Sequence, residues 1–300
     1  MKGRPIACGQ FLIFAFCPLP FDLKSPKDAQ RMKFTQEQIH RYSRQMILPG
    51  FGGKNQAKLA GAKVFLMGAG GLGSPAAIYL AAAGVGTLGL ADFDRVELHN
   101  LQRQILHRTP DLGQLKVDSG KKTLESLNPE VKVQVYPDRI TSANAREIIR
   151  GYDLVLDGSD NFPTRFLIND CCFFEKKTLI SGAILRFDGQ LSTFKPHEGG
   201  PCYRCLFPHP PPPGTVPGCQ EAGILGAVAG TIGVLQANEA LKEILEMGKS
   251  MAGRLLLFNA LSLSFDVVDI RRNPSCPLCG ERPSIRDLFD YPLTCQPGTA

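Results

Sequence analysis

The chain has 300 residues, 43% of them hydrophobic, and a formal net charge of +6 from 34 basic and 28 acidic side chains. This length and apolar content suffice for one large core or two modest ones, and exclude a disordered or fibrous chain. The charge is spread along the length with no basic run carrying interleaved aromatics, so nucleic-acid binding is set aside and only a mild attraction for anionic ligands remains. Ten cysteines, four of them in two C-x-x-C pairs, fit a reducing, cytoplasmic setting better than the disulfide framework of a small secreted protein.

Residues 1–31 begin with a basic tip and an apolar run, Phe11 to Phe16, and superficially resemble a secretory signal. Pro5, Cys8, Gly9 and Gln10 interrupt it, and it is too short to span a bilayer as a helix. A cleaner start follows at Met32, where Thr35 is an N-cap with Gln38 three residues on. We therefore expect translation to begin at Met32 and residues 1–31 to be an extension without a role. Residues 35–47 read as a polar helix containing Arg41-Tyr42-Ser43-Arg44-Gln45, by itself a solvated face. Pro49 to Gly53 breaks it, and residues 55–61 form a short helix.

Val64 to Met67 is an apolar strand running into Gly68-Ala69-Gly70-Gly71-Leu72-Gly73-Ser74-Pro75, then a helix of small residues, Ala76 to Ala83. Strand, tight loop and helix N-terminus make a phosphate cradle, because glycine lets the backbone approach an anion and the helix end offers unpaired N–H groups. A second strand, Thr87 to Ala91, ends in Asp92-Phe93-Asp94, which places a carboxylate where a nucleotide ribose lies. Asn100-Leu101-Gln102-Arg103-Gln104 then adds an amide and a guanidinium, useful for a nucleoside triphosphate and superfluous for hydride transfer.

Further on, the pattern predicts a helix over Lys116–Leu127, a half-exposed strand over Val131–Val135, a helix over Ser142–Arg150 and a buried strand over Tyr152–Asp157. Alternation of this kind implies a parallel sheet with right-handed crossovers and ligands at the strand C-termini. Asp160 falls there, an oxygen ligand suited to Mg²⁺, or else the N-cap of a helix starting near Phe162. Thr178 to Ala183 is another buried strand, and Arg186 to Phe194 reads as a hairpin about Asp188-Gly189. Pro208 to Pro213 is extended, and a long helix spans Ile224 to Met247, where Gly226, Gly230 and Gly233 permit close packing and Glu239, Lys242 and Glu243 speak against a membrane span. Two strands, Arg254–Asn259 and Leu263–Ile270, close the fold. The expected class is α/β: a Rossmann-like, mostly parallel sheet with helices on both faces, antiparallel C-terminal strands and a four-cysteine zinc site.

That zinc site rests on Cys202, Cys205, Cys276 and Cys279, because two C-x-x-C turns brought together make a closed tetrahedral sulfur shell, structural rather than catalytic. Neither pair lies in a thioredoxin-like setting. Cys171 and Cys172 sit in an apolar helical segment and read as core. Cys219, flanked by Gly218 before the long helix, is a candidate nucleophile against the commoner inert thiol. No histidine is paired with a cysteine or carboxylate in a catalytic arrangement, which argues against hydrolase chemistry.

Taken together, these motifs from Phe34 to Tyr291 resemble the adenylyltransferases that activate small ubiquitin-like sulfur carriers, the MoeB, ThiF and HesA proteins of molybdopterin and thiamin biosynthesis. The resemblance implies one adenylation domain over 32–291, with a nucleotide-binding part at about 60–185, a crossover loop at about 206–222 and a tail at 292–300. It implies ATP on Gly68, Gly70, Gly71 and Gly73, Asp92 on the ribose with Asp94 beside it, and phosphates on Asn100, Arg103 and Lys116. Asp160, next to Asn161, would hold Mg²⁺, and Arg44 would reach the neighbouring subunit's site in a homodimer. The carrier's C-terminal glycine carboxylate would attack the α-phosphate of ATP, needing no general base because it is already ionised. Cys219 matches a crossover-loop cysteine that some relatives link covalently to the carrier. Sulfur would come from another protein, as no room is left for a rhodanese domain. Competing readings are a tRNA threonylcarbamoyladenosine dehydratase-like enzyme, an NAD-dependent oxidoreductase and a non-enzymatic scaffold; the carrier's pathway stays open.

Overall fold

Apolar residues alternate their facing along the central strands, and this alternation builds two cores. In the computed structural model, which describes residues 34–212 and 222–291, strand β1 (Lys63–Met67) sends Val64 and Leu66 into one buried cluster and Phe65 and Met67 into another. The first cluster is completed by α3 (Gly73–Ala83), α4 (Lys116–Leu127) and α8 (Gly226–Leu245); the second draws on α5 (Ala145–Arg150), α6 (Phe162–Phe174) and the single turn α7 (Tyr203–Leu206). Helices therefore cover both faces of one sheet, as the near-continuous apolar strands require.

The sheet has eight strands in the order β3-β2-β1-β4-β5-β6-β7-β8. Strands β2 (Thr87–Ala91), β3 (Lys132–Tyr136), β4 (Leu154–Asp157) and β5 (Thr178–Leu185) run parallel to β1. Strands β6 (Asp188–Phe194), β7 (Arg254–Asn259) and β8 (Ser264–Asp269) continue it antiparallel. Chain order reverses between β1 and β4, so a crevice opens beyond their C-terminal ends, Met67 and Asp157, which face each other in register.

At the N-terminal edge of the described chain, Thr35 and Gln38 form the expected capping box of α1 (Gln36–Met46). Tyr42 is buried against Gly84, whose φ of +83° and lack of a Cβ make room for the ring. The Tyr42 hydroxyl donates to Glu130 (3.1 Å) and accepts from Asn128 (2.8 Å), while Gln45 donates to the Ala83 carbonyl (2.9 Å). Part of the expected solvated face is thus an anchor, and Arg44 remains on the exposed side.

Several boundaries differ from expectation. Helix α2 spans Gly52–Gly61, taking in two glycines assigned to the break, because the turn is made by Gly50 and Gly52 at φ +78° and +63°. Helix α5 begins at Ala145, three residues late, behind a turn in which Asn144 accepts from the Thr141 N–H (2.8 Å). The β5–β6 hairpin turns at Arg186-Phe187, with Leu185 paired to Asp188, so Asp188-Gly189 already belongs to β6. Gly189 serves packing instead: a Cβ there would overlap Ile232 of α8. Along α8, Gly226 and Gly233 do admit close backbone, the Gln102 and Leu72 carbonyls respectively, whereas Gly230 faces open space. No described helix is long and apolar enough to cross a membrane.

Candidate active site

The crevice beyond β1 and β4 is a cleft of about 720 Å³ whose walls include Gly68, Gly70, Gly71, Asp92, Asp94, Arg103, Lys116, Asp160 and Asn161, well within the size of a cofactor pocket. Gly68, at φ +98°, closes the turn after β1, and its N–H donates to the Ala91 carbonyl (2.8 Å). Gly73 opens α3 so close to Gly68 that a Cβ would overlap the Gly68 carbonyl oxygen. It shapes the loop without lining the cleft. The first turn of α3 has no side-chain cap; its Ser74 and Ala76 N–H groups bond back to the Gly70 and Leu72 carbonyls and Pro75 has none, so it is the helix dipole that favours an anion there.

Acid and base stand together at the end of β2. Asp92 accepts from the Ala69 N–H and the Asp94 N–H, both at 2.9 Å. Burial pushes its carboxyl above the usual range, against the pull of Lys116 and of these two amides. Lys116, itself buried, donates to Asp94 at 2.8 Å and lies 3.9 Å from Asp92. Arg103 is half-buried and its guanidinium donates to the His99 carbonyl (3.0 Å), a bond it can exchange for one to a ligand. Asn100 is buried outside the cleft wall, where its side chain accepts from the Glu97 N–H at 3.2 Å. Beside the loop, Gln104 is buried with an Oε1 that has no partner among the described residues.

On the opposite wall the cap is Asn161, not Asp160: the Asn161 side chain accepts from the Thr164 N–H at 2.9 Å. Asp160 is thereby left exposed in the cleft, touched by the Asn161 amide at 3.3 Å. The loop that carries it is pinned from below. Asp157 accepts from Ser159 N–H (3.0 Å) and hydroxyl (2.6 Å) and from Ser181 (3.1 Å), while Arg165 donates to the Gly182 carbonyl (2.8 Å) and to the Ser159 carbonyl. Sequence reasoning passed over Arg165, although a guanidinium amid Phe166, Leu167 and Ile168 is itself a signal, since buried charge needs a partner.

The two C-x-x-C turns do meet. All four sulfurs lie within 4.8 Å of one another, with Cys202–Cys276 at 3.6 Å, Cys205–Cys279 at 3.4 Å and Cys202–Cys205 at 4.0 Å. A tetrahedral centre with bonds of about 2.3 Å places sulfurs about 3.8 Å apart, so the set fits a metal. Backbone N–H groups of Asn273 and Cys279 point at Cys205 and Cys276. Hydrogen bonds from Cys202 hold the Cys276 and Cys205 thiols down, Cys205 to about 6. Between the first pair, Arg204 is fully buried, donates twice to Asp170 of α6 at 2.7 Å and lies 4.5 Å over the Phe166 ring. Cys171 and Cys172 are core, as read; burial pushes the Cys171 thiol up to about 12 and Cys172 well above its usual value. Cys219 lies outside the described residues.

A doubly wound sheet with a glycine loop, an acidic β2 end and convergent cations defines a nucleotide-binding α/β protein. The profile of the ThiF family matches residues 42–278. The sulfur carrier protein adenylyltransferase of Thermus thermophilus is 53% identical over 268 residues, covering 88% of this chain and 99% of that protein. The adenylyltransferase and sulfurtransferase MOCS3 of Drosophila sechellia is 49% identical over 275 residues, covering 91% of this chain, which spans 60% of that relative's length. In fold, the chain is similar to a crystal structure of E. coli MccB with MccA-N7isoASN, with a TM-score of 0.71 at 22% identity over 80% of this chain and 75% of that one. The chain belongs to the ThiF family, and it is an enzyme of the adenylyltransferase class.

Proposed function

We propose that the protein adenylylates the C-terminal glycine of a small ubiquitin-like sulfur carrier, of the kind serving molybdopterin or thiamin synthesis. The observation that carries this reading is the gathering of the glycine loop, Asp92, Arg103, Lys116 and Asp160 around one cleft in a chain 53% identical to a sulfur carrier protein adenylyltransferase. ATP lies with its phosphates on the loop and α3, its ribose on Asp92. The carrier's carboxylate oxygen forms a bond to the α-phosphorus, the bond from that phosphorus to the bridging oxygen breaks, and pyrophosphate leaves with the electron pair. Arg103 and Lys116 neutralise phosphate charge, Lys116 exchanging Asp94 for the nucleotide, and no proton has to be removed from the attacking acid. Asp94 and Asn161 line the cleft beside these contacts, and Asn100 supports them from behind.

Asp160 would hold Mg²⁺, which supplies further charge neutralisation when bound. Cys202, Cys205, Cys276 and Cys279 would hold Zn²⁺ in a closed, structural shell. Arg44, exposed on α1, completes the partner's cleft in a homodimer, and Cys219 is the residue to examine for a covalent carrier link. We place the enzyme in the cytoplasm, with sulfur brought by a separate donor protein.

The test is ATP–pyrophosphate exchange with Mg²⁺, adding the molybdopterin and thiamin carriers in turn. Exchange that requires one carrier's terminal glycines is the expected result and names the pathway. No exchange with either, together with binding of tRNA, would transfer the reading to a tRNA-modifying dehydratase.

A further inference from the structure

Behind the cleft wall, three buried polar residues form a line that ends on the glycine loop. His107 Nε2 lies 2.9 Å from the Ala69 carbonyl oxygen, and His107 Nδ1 lies 2.9 Å from the Ser119 hydroxyl. Ser119 in turn lies 3.0 Å from Asp111 Oδ2, which also accepts from the Arg108 N–H at 3.0 Å. All three side chains are at most 4% exposed, so each of these bonds is shielded from water. The sequence reading sought histidines only in catalytic pairs; here His107 reaches Asp111 indirectly, through Ser119.

Counting protons fixes what this line does. A carbonyl only accepts, so Nε2 must carry a hydrogen. The Ser119 hydroxyl has one proton and two neighbours, Nδ1 and Asp111. If the ring is neutral, that proton serves Nδ1; if the ring is an imidazolium, Nδ1–H donates to Ser119 and the hydroxyl turns to Asp111. The Nε2–H bond to Ala69 survives in both. The charged groups around the ring are Asp111 and Lys116; burial and Lys116 hold its pKa low, while the Ala69 bond and Asp111 oppose them. Ala69 is held from its other side as well, its N–H on Asp92 (2.9 Å), with the Ser74 hydroxyl 3.3 Å from its carbonyl.

We infer that His107 is a positioning residue for nucleotide binding: the Ala69 carbonyl, which only accepts, requires the Nε2–H form of the ring, and that N–H grips Ala69 so that the Gly68–Gly71 backbone keeps the shape that receives phosphates. The inference rests on the adenylylation reading only in taking ATP as the ligand of the cleft. It extends the cradle from the amides that touch phosphate to a side chain that does not.

The experiment is titration calorimetry with MgATP on the full chain and on His107→Ala and His107→Gln, together with ¹⁵N imidazole spectra of the wild type. The glutamine side chain would return an amide donor to the place of Nε2. Expected are binding weakened roughly tenfold in His107→Ala, the size of one lost buried hydrogen bond, recovery of most of it in His107→Gln, and an Nε2–H ring at about pH 7.5. An Nδ1–H ring, alanine binding like the wild type, or glutamine no better than alanine would each overturn the inference. If His107→Ala does not fold, the wild-type tautomer and the glutamine affinity still decide it. A wild type that binds no MgATP would instead sink the nucleotide reading, leaving the tautomer to judge the His107–Ala69 bond.

Discussion

Arg103 stands half-buried in the cleft wall with its guanidinium on the His99 carbonyl, so its charged end is available to a ligand. Arg103→Ala should abolish carrier-dependent pyrophosphate exchange while shifting the thermal midpoint by only a few degrees, since one hydrogen bond and part of an aliphatic stem are lost. A parallel collapse of the melt would assign the residue to the fold. His107 makes the opposite case, a buried ring whose pKa burial holds below that of an unfolded chain. Below the unfolded value of about 6.5 the unfolded chain takes up a proton that the native ring resists, so this ring's contribution to stability falls as pH falls through that point. Melting from pH 8 to pH 5 should therefore show a shallower loss in His107→Gln than in the wild type.

Elements follow from local rules until a neighbour overrides them. The capping box of α1 and the strand β1 with its glycine loop stand where the sequence pattern puts them. The β5–β6 turn does not, because an Asp-Gly pair is the usual hairpin signal and here Gly189 is taken by the approach of Ile232 instead. Gly189→Ala should cost about 1–3 kcal/mol, the range of overpacked cores, read as a lower urea midpoint with an unchanged slope. A stabilised variant would return the glycine to the turn. Asn161 shows the same competition on a smaller range: one of two adjacent residues must cap α6, and the cap's extended backbone, φ −134° and ψ 146°, falls on Asn161, which leaves Asp160 for the cleft.

The two ends of the molecule are joined through α6. Its N-terminus carries Asp160 and Asn161 into the cleft, and near its C-terminus Asp170 receives both Arg204 bonds from the first C-x-x-C turn. Metal binding energy held by the four sulfurs is folding energy for the segments that supply them. A chelator strong enough to strip the metal should lower the thermal midpoint by several degrees and, through Arg204 and α6, weaken MgATP binding as well; elemental analysis of the native protein should find one zinc per chain. Unchanged melting after removal would reduce the cluster to a bystander. Legible in the sequence alone were the properties set by short-range chemistry: helix caps, strand alternation, the glycine turn, the thiol spacing and, through their combination, the family. Tertiary packing alone decided which glycine serves packing rather than a turn, as Gly189 against Ile232 does, and which buried polar groups find each other. Those outcomes depend on partners 12 to 79 positions apart, as in His107–Ser119 and Gln236–Asp157, and a buried hydrogen bond leaves no periodic trace for a pattern to reveal.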